Sequence, residues 1–208
     1  LAGGLVGYSS YDVVRWFERL APRPPSASPV PDMHYVAPSS LLVFDHLTRG
    51  IALLHAGTEA ERQSLRREVI AALRGPVPQA RAPGGFSPAT ASMSQDEFLA
   101  GVARTKEYIA AGDVYQLVLS VRFGGRHSVD PFDAYRALRL INPSPYLYYL
   151  KLGEVTVVGS SPEALVKLSG GHAQLRPIAG TRPRAADDAE DRRREQELLA
   201  DAKENAEH

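Results

Sequence analysis

The chain has 208 residues, 44% of them apolar, and carries 24 lysines and arginines against 24 aspartates and glutamates. That is enough to bury a substantial core in one large or two small domains, and the zero net charge leaves no global field to draw it to nucleic acid or an anionic membrane. With no cysteine, disulfides, thiolate metal sites and a cysteine nucleophile are excluded, which suits a cytoplasmic setting. No apolar run approaches the roughly 20 residues of a membrane span, and no signal-peptide pattern opens the chain.

Gly3 to Tyr8 reads as a short strand, and YDVVRWFERL after it has apolar residues at helical spacing, Val13, Trp16, Phe17 and Leu20. APRPPSASPVPD, residues 21–32, cannot sustain regular structure and is expected to be a loop. LLVFDH and IALLH predict a hairpin across Leu47 to Gly50. Thr58 and Glu61 form a capping box for a helix with the apolar stripe Leu65, Val69, Ala72 and Leu73, ended by Gly75. From Gly75 to Ala91 proline, glycine, alanine and serine dominate with little hydrophobic period, so a linker is expected there.

Ser94 and Glu97 supply a second capping box, and Phe98, Val102 and Ile109 mark the buried face of a helix ending at Gly112. A strand is expected from Val114 to Phe123, a helix from Pro131 to about Leu140, then strands at YLYYLKL, EVTVVGS, ALVKL and QLRPI. Strands outnumber helices, and the short turns at Gly153 and Gly170-Gly171 favour antiparallel hairpins over repeated βαβ units. The class is α+β, in three stretches: 1–74, the linker 75–91, and 92–208. The chain opens at Leu1 without methionine and stops at His208 inside a helical pattern with no stop signal, so a fragment of a longer protein is expected.

Three positions carry candidate chemistry, each with a plainer alternative. Glu204 and Glu207 lie three apart on one helix face, a spacing that suits Mg²⁺ with its preference for few carboxylates plus waters; it equally suits a solvated charged face. RPIAGTRPR sets Gly180 and Thr181 among Arg176, Arg182 and Arg184, an anion cradle or a proline-stiffened surface loop. GSSPEAL puts Glu163 just past a β-rich strand, where a partly buried carboxyl would serve as a general acid; as a helix start it has Ser161 as N-cap and Pro162 at N1. The six histidines show no metal spacing, and there is no GxSxG, P-loop or GxGxxG.

Taken in order, six blocks resemble the chorismate-utilising enzymes, most closely their anthranilate synthase component I group: GGLVGYSSYDVVR, KEYIAAGDVYQLVLSVRF, NPSPYLYYL, VVGSSPEALVKL, LRPIAGTRPR and ELLADAKENAEH. The resemblance covers nearly the whole chain apart from the linker and the proline-rich loop. It implies part of an α/β sandwich of two facing, largely antiparallel sheets. The implied reaction, in tryptophan biosynthesis, adds ammonia at C2 of chorismate, expels the C4 hydroxyl and eliminates pyruvate to give anthranilate. Ammonia comes from a glutamine amidotransferase partner, and Mg²⁺ holds the ring carboxylate.

By the same resemblance Glu207 is a Mg²⁺ ligand, Glu204 its neighbour in the metal and substrate shell, and Glu163 the acid that protonates the departing hydroxyl. Gly180 and Thr181 cradle the substrate, while Pro145, Tyr146 and Leu147 are contacts of the inhibitor L-tryptophan. Water-adding relatives carry a lysine base where this chain has Gln116, and a glutamine cannot deprotonate water. Aminodeoxychorismate synthases of the folate pathway have a lysine where this chain has Ala179, and a methyl group cannot act as a nucleophile. Both point to anthranilate synthase, Ala179 arguing against the aminodeoxychorismate rival, while intact Glu163, Glu204 and Glu207 argue against a non-catalytic tryptophan-sensing or partner-binding module.

The chain departs from the usual pattern at Val121, Ala185 and Asn205. The family's catalytic histidine and a second Mg²⁺ carboxylate are expected beyond His208, and another part of the tryptophan site before Leu1, so the fragment alone is expected to be inactive.

Overall fold

A computed structural model describes residues 3–21, 30–77 and 84–208. Most of the expected proline-rich loop and the middle of the expected linker lie outside the described residues. The chain divides into two compact units, Leu1–Ala82 with Tyr148–Val158, and Pro83–Leu147 with Gly159–His208.

In the first unit β1 (Val6–Ser9) pairs antiparallel with β2 (Met33–Val36). Gly7 is required there, because a Cβ would lie 2.7 Å from the Tyr35 Cα. YDVVRW forms a 3₁₀ turn, Tyr11–Trp16, in place of a regular helix. Its acidic and basic ends are tied by Arg15 Nε donating to Asp12 Oδ1 at 2.9 Å.

The hairpin expected around Leu47 is present as β3 (Ser40–Asp45) and β4 (Gly50–His55), antiparallel in register. Its turn is closed by Asp45, whose Oδ1 accepts from the backbone of Leu47 (2.9 Å) and Thr48 (3.2 Å). Helix α1 (Glu59–Arg74) opens on the Thr58–Glu61 capping box and ends at Gly75. Two orphan backbone donors are satisfied reciprocally at its start, with Thr58 N donating to Glu61 Oε2 at 2.7 Å.

In the second unit a short β5 (Thr90–Ala91) precedes α2 (Gln95–Ala111), which begins on the Ser94–Glu97 box and stops at Gly112 with φ +81°. Gly112 takes the left-handed conformation that a side chain would disfavour, and its N–H caps the helix end. The strand expected over Val114–Phe123 is not formed: only β6 (Phe123–Gly124) pairs, with β5. A ladder needs a partner for its backbone groups, and among the described residues no strand is paired with 114–122.

Helix α3 (Pro131–Ile141) starts on Asp130, with Pro131 at its first position. Strands β7 (Tyr146–Leu152) and β8 (Val155–Ser161) pair across Gly153, and β9 (Lys167–Ser169) and β10 (His172–Gln174) across Gly170-Gly171, all three glycines having positive φ. QLRPI leaves the ladder after Gln174 and runs on irregularly. The terminal helix is broken in two, α4 (Asp188–Ala200) and α5 (Ala202–Glu207). The fold is mixed α and β, and its registered ladders are antiparallel.

Little of this is sealed from water. Among the described residues Leu152 alone is buried, at 3% exposure, while Tyr115 and Val118 are 89% and 83% exposed. The accessible surface is 17450 Å². A compact monomer of 22.6 kDa would show about 9,500 Å², and two separate compact bodies of half that mass about 11,500 Å². The excess therefore holds however the two units are arranged.

Candidate functional site

The break between α4 and α5 builds the site. Asp201 has extended backbone (φ −70°, ψ 115°) and closes one helix while capping the next. Its Oδ1 accepts from the backbone N–H of Lys203 (3.0 Å) and Glu204 (3.1 Å). Aspartate is a poor interior helix residue and a good N-cap, which explains why the charged run does not continue as one helix.

Asn205 donates through Nδ2 to the carbonyls of Leu199 (2.7 Å) and Asp201 (2.9 Å). It thereby satisfies acceptors freed by the break. The turn re-aims the six-residue α5 with Glu204 and Glu207 on it.

Gly180 lies directly against Glu204. A Cβ on Gly180 would sit 2.8 Å from Glu204 Cγ and closer still to the carboxylate. Glu204 is 16% exposed, and its Oε2 is buried without a hydrogen-bond partner. Arg182 spans the gap between this segment and α5: Nη1 donates to the Thr181 carbonyl at 3.0 Å, Nη2 to Asp201 Oδ2 at 2.9 Å, and Nη1 is 3.8 Å from Glu204 Oε1.

Gln116, 91 residues away in sequence, donates through Nε2 to Glu207 Oε1 at 2.9 Å. Lys203 places its ammonium 3.0 Å from Glu207 Oε2 and 3.5 Å from Glu204 Oε2. The hydrogen bond to Glu207, with the charges of both glutamates, raises the Lys203 pKa. The Asp201 carboxyl is lowered, chiefly by the Glu204 backbone N–H, then by that of Lys203 and by Arg182.

These residues fit a hard divalent cation. Mg²⁺ takes one or two carboxylates and completes its shell with water and substrate oxygens. Here one cation, the Lys203 ammonium, already reaches an oxygen of each glutamate, and the 3.5 Å approach to Glu204 Oε2 is short of a well-formed hydrogen bond. Among the described residues no group of three or more acidic or histidine side chains is gathered for a metal, so a two-carboxylate shell is what this face offers.

Glu163 lies elsewhere in the same unit. It lines a 410 Å³ cavity with Pro145, Tyr146, Lys167 and Arg176. Contrary to expectation it is exposed rather than partly buried, and no helix starts at Ser161, which instead ends β8. Ser161 Oγ bonds the backbone of Glu163 itself (N at 3.4 Å, O at 3.0 Å). This local turn competes with helix initiation.

Ser160 Oγ donates to the Asn142 carbonyl at 2.8 Å, tying the NPSP turn to the end of β8. Pro145 and Tyr146, the first residue of β7, share the Glu163 cavity, whereas Leu147, next along the strand, does not line it. A second cavity of 320 Å³ is lined by Ala179, Gly180, Leu198, Glu204 and Asn205, and Pro177 and Ile178 border both.

Thus Gln116, Gly180, Thr181, Glu204 and Glu207 are brought together, with Glu163 on the far side of the Pro177-Ile178 segment. Asp201 and Lys203 were missed, and Arg182 was read only as part of the anion cradle. The signal available for Asp201 was a good capping residue four positions past Glu197, set in a run with no glycine or proline.

The family model for chorismate binding enzymes matches residues 2–208. Among curated proteins, anthranilate synthase component 1 of Thermus thermophilus is 46% identical over 99% of this chain and 45% of its own length. That of Streptomyces coelicolor is 44% identical over 99% and 44%. The crystal structure of anthranilate synthase component I from Streptococcus pneumoniae superposes with a TM-score of 0.84 at 32% identity, covering all of this chain and 47% of that one. The chain spans about half the length of the curated relatives it matches. Among the described residues no helix is long and apolar enough to cross a membrane.

Proposed function

The chain belongs to the chorismate binding enzyme family, and on that footing we propose that it supplies an internal part of the aminating component of an anthranilate synthase. That enzyme converts chorismate and ammonia to anthranilate and pyruvate. The observation that carries the reading is the meeting of Gln116, Gly180, Glu204 and Glu207 around the α4–α5 break, with Gln116 and Glu207 joined at 2.9 Å across 91 residues. Positions named separately by their motifs share one small region, as a common ligand requires.

In this reading the backbone of Gly180 and Thr181 holds a carboxylate of the substrate. Gly180 permits the close approach because it has no Cβ. Glu204 and Glu207 hold Mg²⁺, with Gln116 orienting Glu207 through its amide. When bound, the ion supplies positive charge that neutralises the ring carboxylate. Glu163 gives its proton to the departing C4 hydroxyl, which leaves as water, and the 410 Å³ cavity beside it has room for that end of the ring. Ala179 lines the other cavity with a methyl group, so no side-chain amine competes with ammonia there.

An amidotransferase supplies the ammonia, and L-tryptophan inhibits from the side of Pro145 and Tyr146. The working enzyme is about twice this length. That is supported by the half-length match to its relatives and by apolar surface such as Tyr115 and Val118 that this chain leaves open.

The test is made on the complete polypeptide with Mg²⁺, chorismate and an ammonium salt, following anthranilate fluorescence, with Glu207→Ala as control. Anthranilate that vanishes in the variant supports the reading. Accumulation of an aminated chorismate moves the assignment to the aminodeoxychorismate branch, and no consumption of chorismate leaves a binding module.

A further inference from the structure

We propose that Arg182 is a positioning residue that, through Asp201, locks the Gly180–Thr181 segment onto the first turn of α5. The inference rests on the reading of Gly180, Thr181 and Glu204 as the substrate and metal shell. Its geometry is independent of any ligand.

The two oxygens of Asp201 do different things. Oδ1 accepts from the backbone N–H groups of Lys203 and Glu204 and so starts α5. Oδ2 accepts from Arg182 Nη2 at 2.9 Å, while Arg182 Nη1 donates to the Thr181 carbonyl at 3.0 Å and stands 3.8 Å from Glu204 Oε1. One planar guanidinium therefore touches the cradle segment, the helix cap and the carboxylate that Gly180 packs against. The pair is partly shielded, Arg182 being 28% and Asp201 32% exposed, so solvent weakens it less than a surface pair.

A fork with fixed donor directions transmits position, whereas a lysine ammonium on a flexible stem would supply charge without direction. The cap does not need Arg182, because it uses the other oxygen. Loss of the fork should leave α5 folded and let the Gly180–Thr181 segment drift from Glu204.

The test is a double-mutant cycle in the complete polypeptide, with Arg182→Lys, Asp201→Asn and the double variant. Asparagine keeps an oxygen for the cap and removes the charge that Arg182 grips. Backbone ¹⁵N order parameters at Gly180 and Thr181 are expected to fall from about 0.85 to below about 0.6 in each single variant and no further in the double, with the amides of Lys203 and Glu204 still protected from exchange. In parallel kcat/KM for chorismate should fall about 10- to 100-fold in either single variant, mostly through KM, again without addition.

Multiplying losses in the double variant, or wild-type order parameters and KM in Arg182→Lys, would overturn the clamp. Faster exchange at Lys203 and Glu204 together with a loosened segment would show that only the cap was disturbed, and would overturn it equally. A wild-type enzyme that makes no anthranilate would instead defeat the functional reading, and the order parameters would still decide the clamp.

Discussion

Gly180→Ala isolates the closest approach in the site. Gly180 is not in the left-handed region, so its backbone accepts alanine, and Gly→Ala at a compatible position changes stability by no more than about 1 kcal/mol through the unfolded chain. The new methyl carbon would lie 2.8 Å from Glu204 Cγ, where ordinary contact begins at 3.4 Å. The Glu204 side chain must therefore retreat by about 0.6 Å at Cγ and further at the carboxylate, a flexible end that yields without unfolding the unit.

Displacement of a reacting or metal-holding group by about 1 Å costs on the order of 100-fold in rate, or about 2.7 kcal/mol of transition-state stabilisation. The assay is steady-state anthranilate fluorescence of the complete polypeptide beside its thermal midpoint. Expected is a variant that melts within a few degrees of wild type and has lost about two orders of magnitude in kcat/KM. An alanine variant with full activity would show that the contact between Gly180 and Glu204 is irrelevant to turnover. A collapse in stability would show that the site is rigidly packed and that the loss is structural.

Gln116→Leu removes the amide that holds Glu207 and should weaken Mg²⁺ binding about 10-fold in titration calorimetry, with little change in melting. Chelation of divalent ions should abolish turnover, and added Mg²⁺ should restore it. Ser94→Ala deletes half of the capping box of α2 and should cost about 1 kcal/mol in urea unfolding. The Glu190 carboxyl is lowered from 4.5 to about 2 by hydrogen bonds from Arg193 and then Arg194. A depressed folded pKa contributes stability above the unfolded value that is lost on acidification. The advantage of wild type over Glu190→Gln should therefore be full above about pH 5, shrink between 4.5 and about 2, and weaken in high salt.

Helix starts and tight turns were legible in the sequence because their causes are local. The boxes at Thr58–Glu61 and Ser94–Glu97, the Asp130-Pro131 start, and the turns at Gly153 and Gly170-Gly171 each depend on a few adjacent residues whose side chains or backbone freedom satisfy the groups beside them. The strand expected over Val114–Phe123 was not formed for the opposite reason: pairing is a property of two segments, and among the described residues none is paired with 114–122.

Composition and periodicity determined a mixed α and β class, and the resemblance of the ordered motifs pointed to the chorismate-utilising family and to each site residue singly. Only the tertiary structure decided that Asp201 breaks the last helix, that Gly180 faces Glu204, and that Gln116 reaches Glu207. Those relations depend on which distant backbone comes within 3 Å of which side chain, and no periodicity along one segment carries that information.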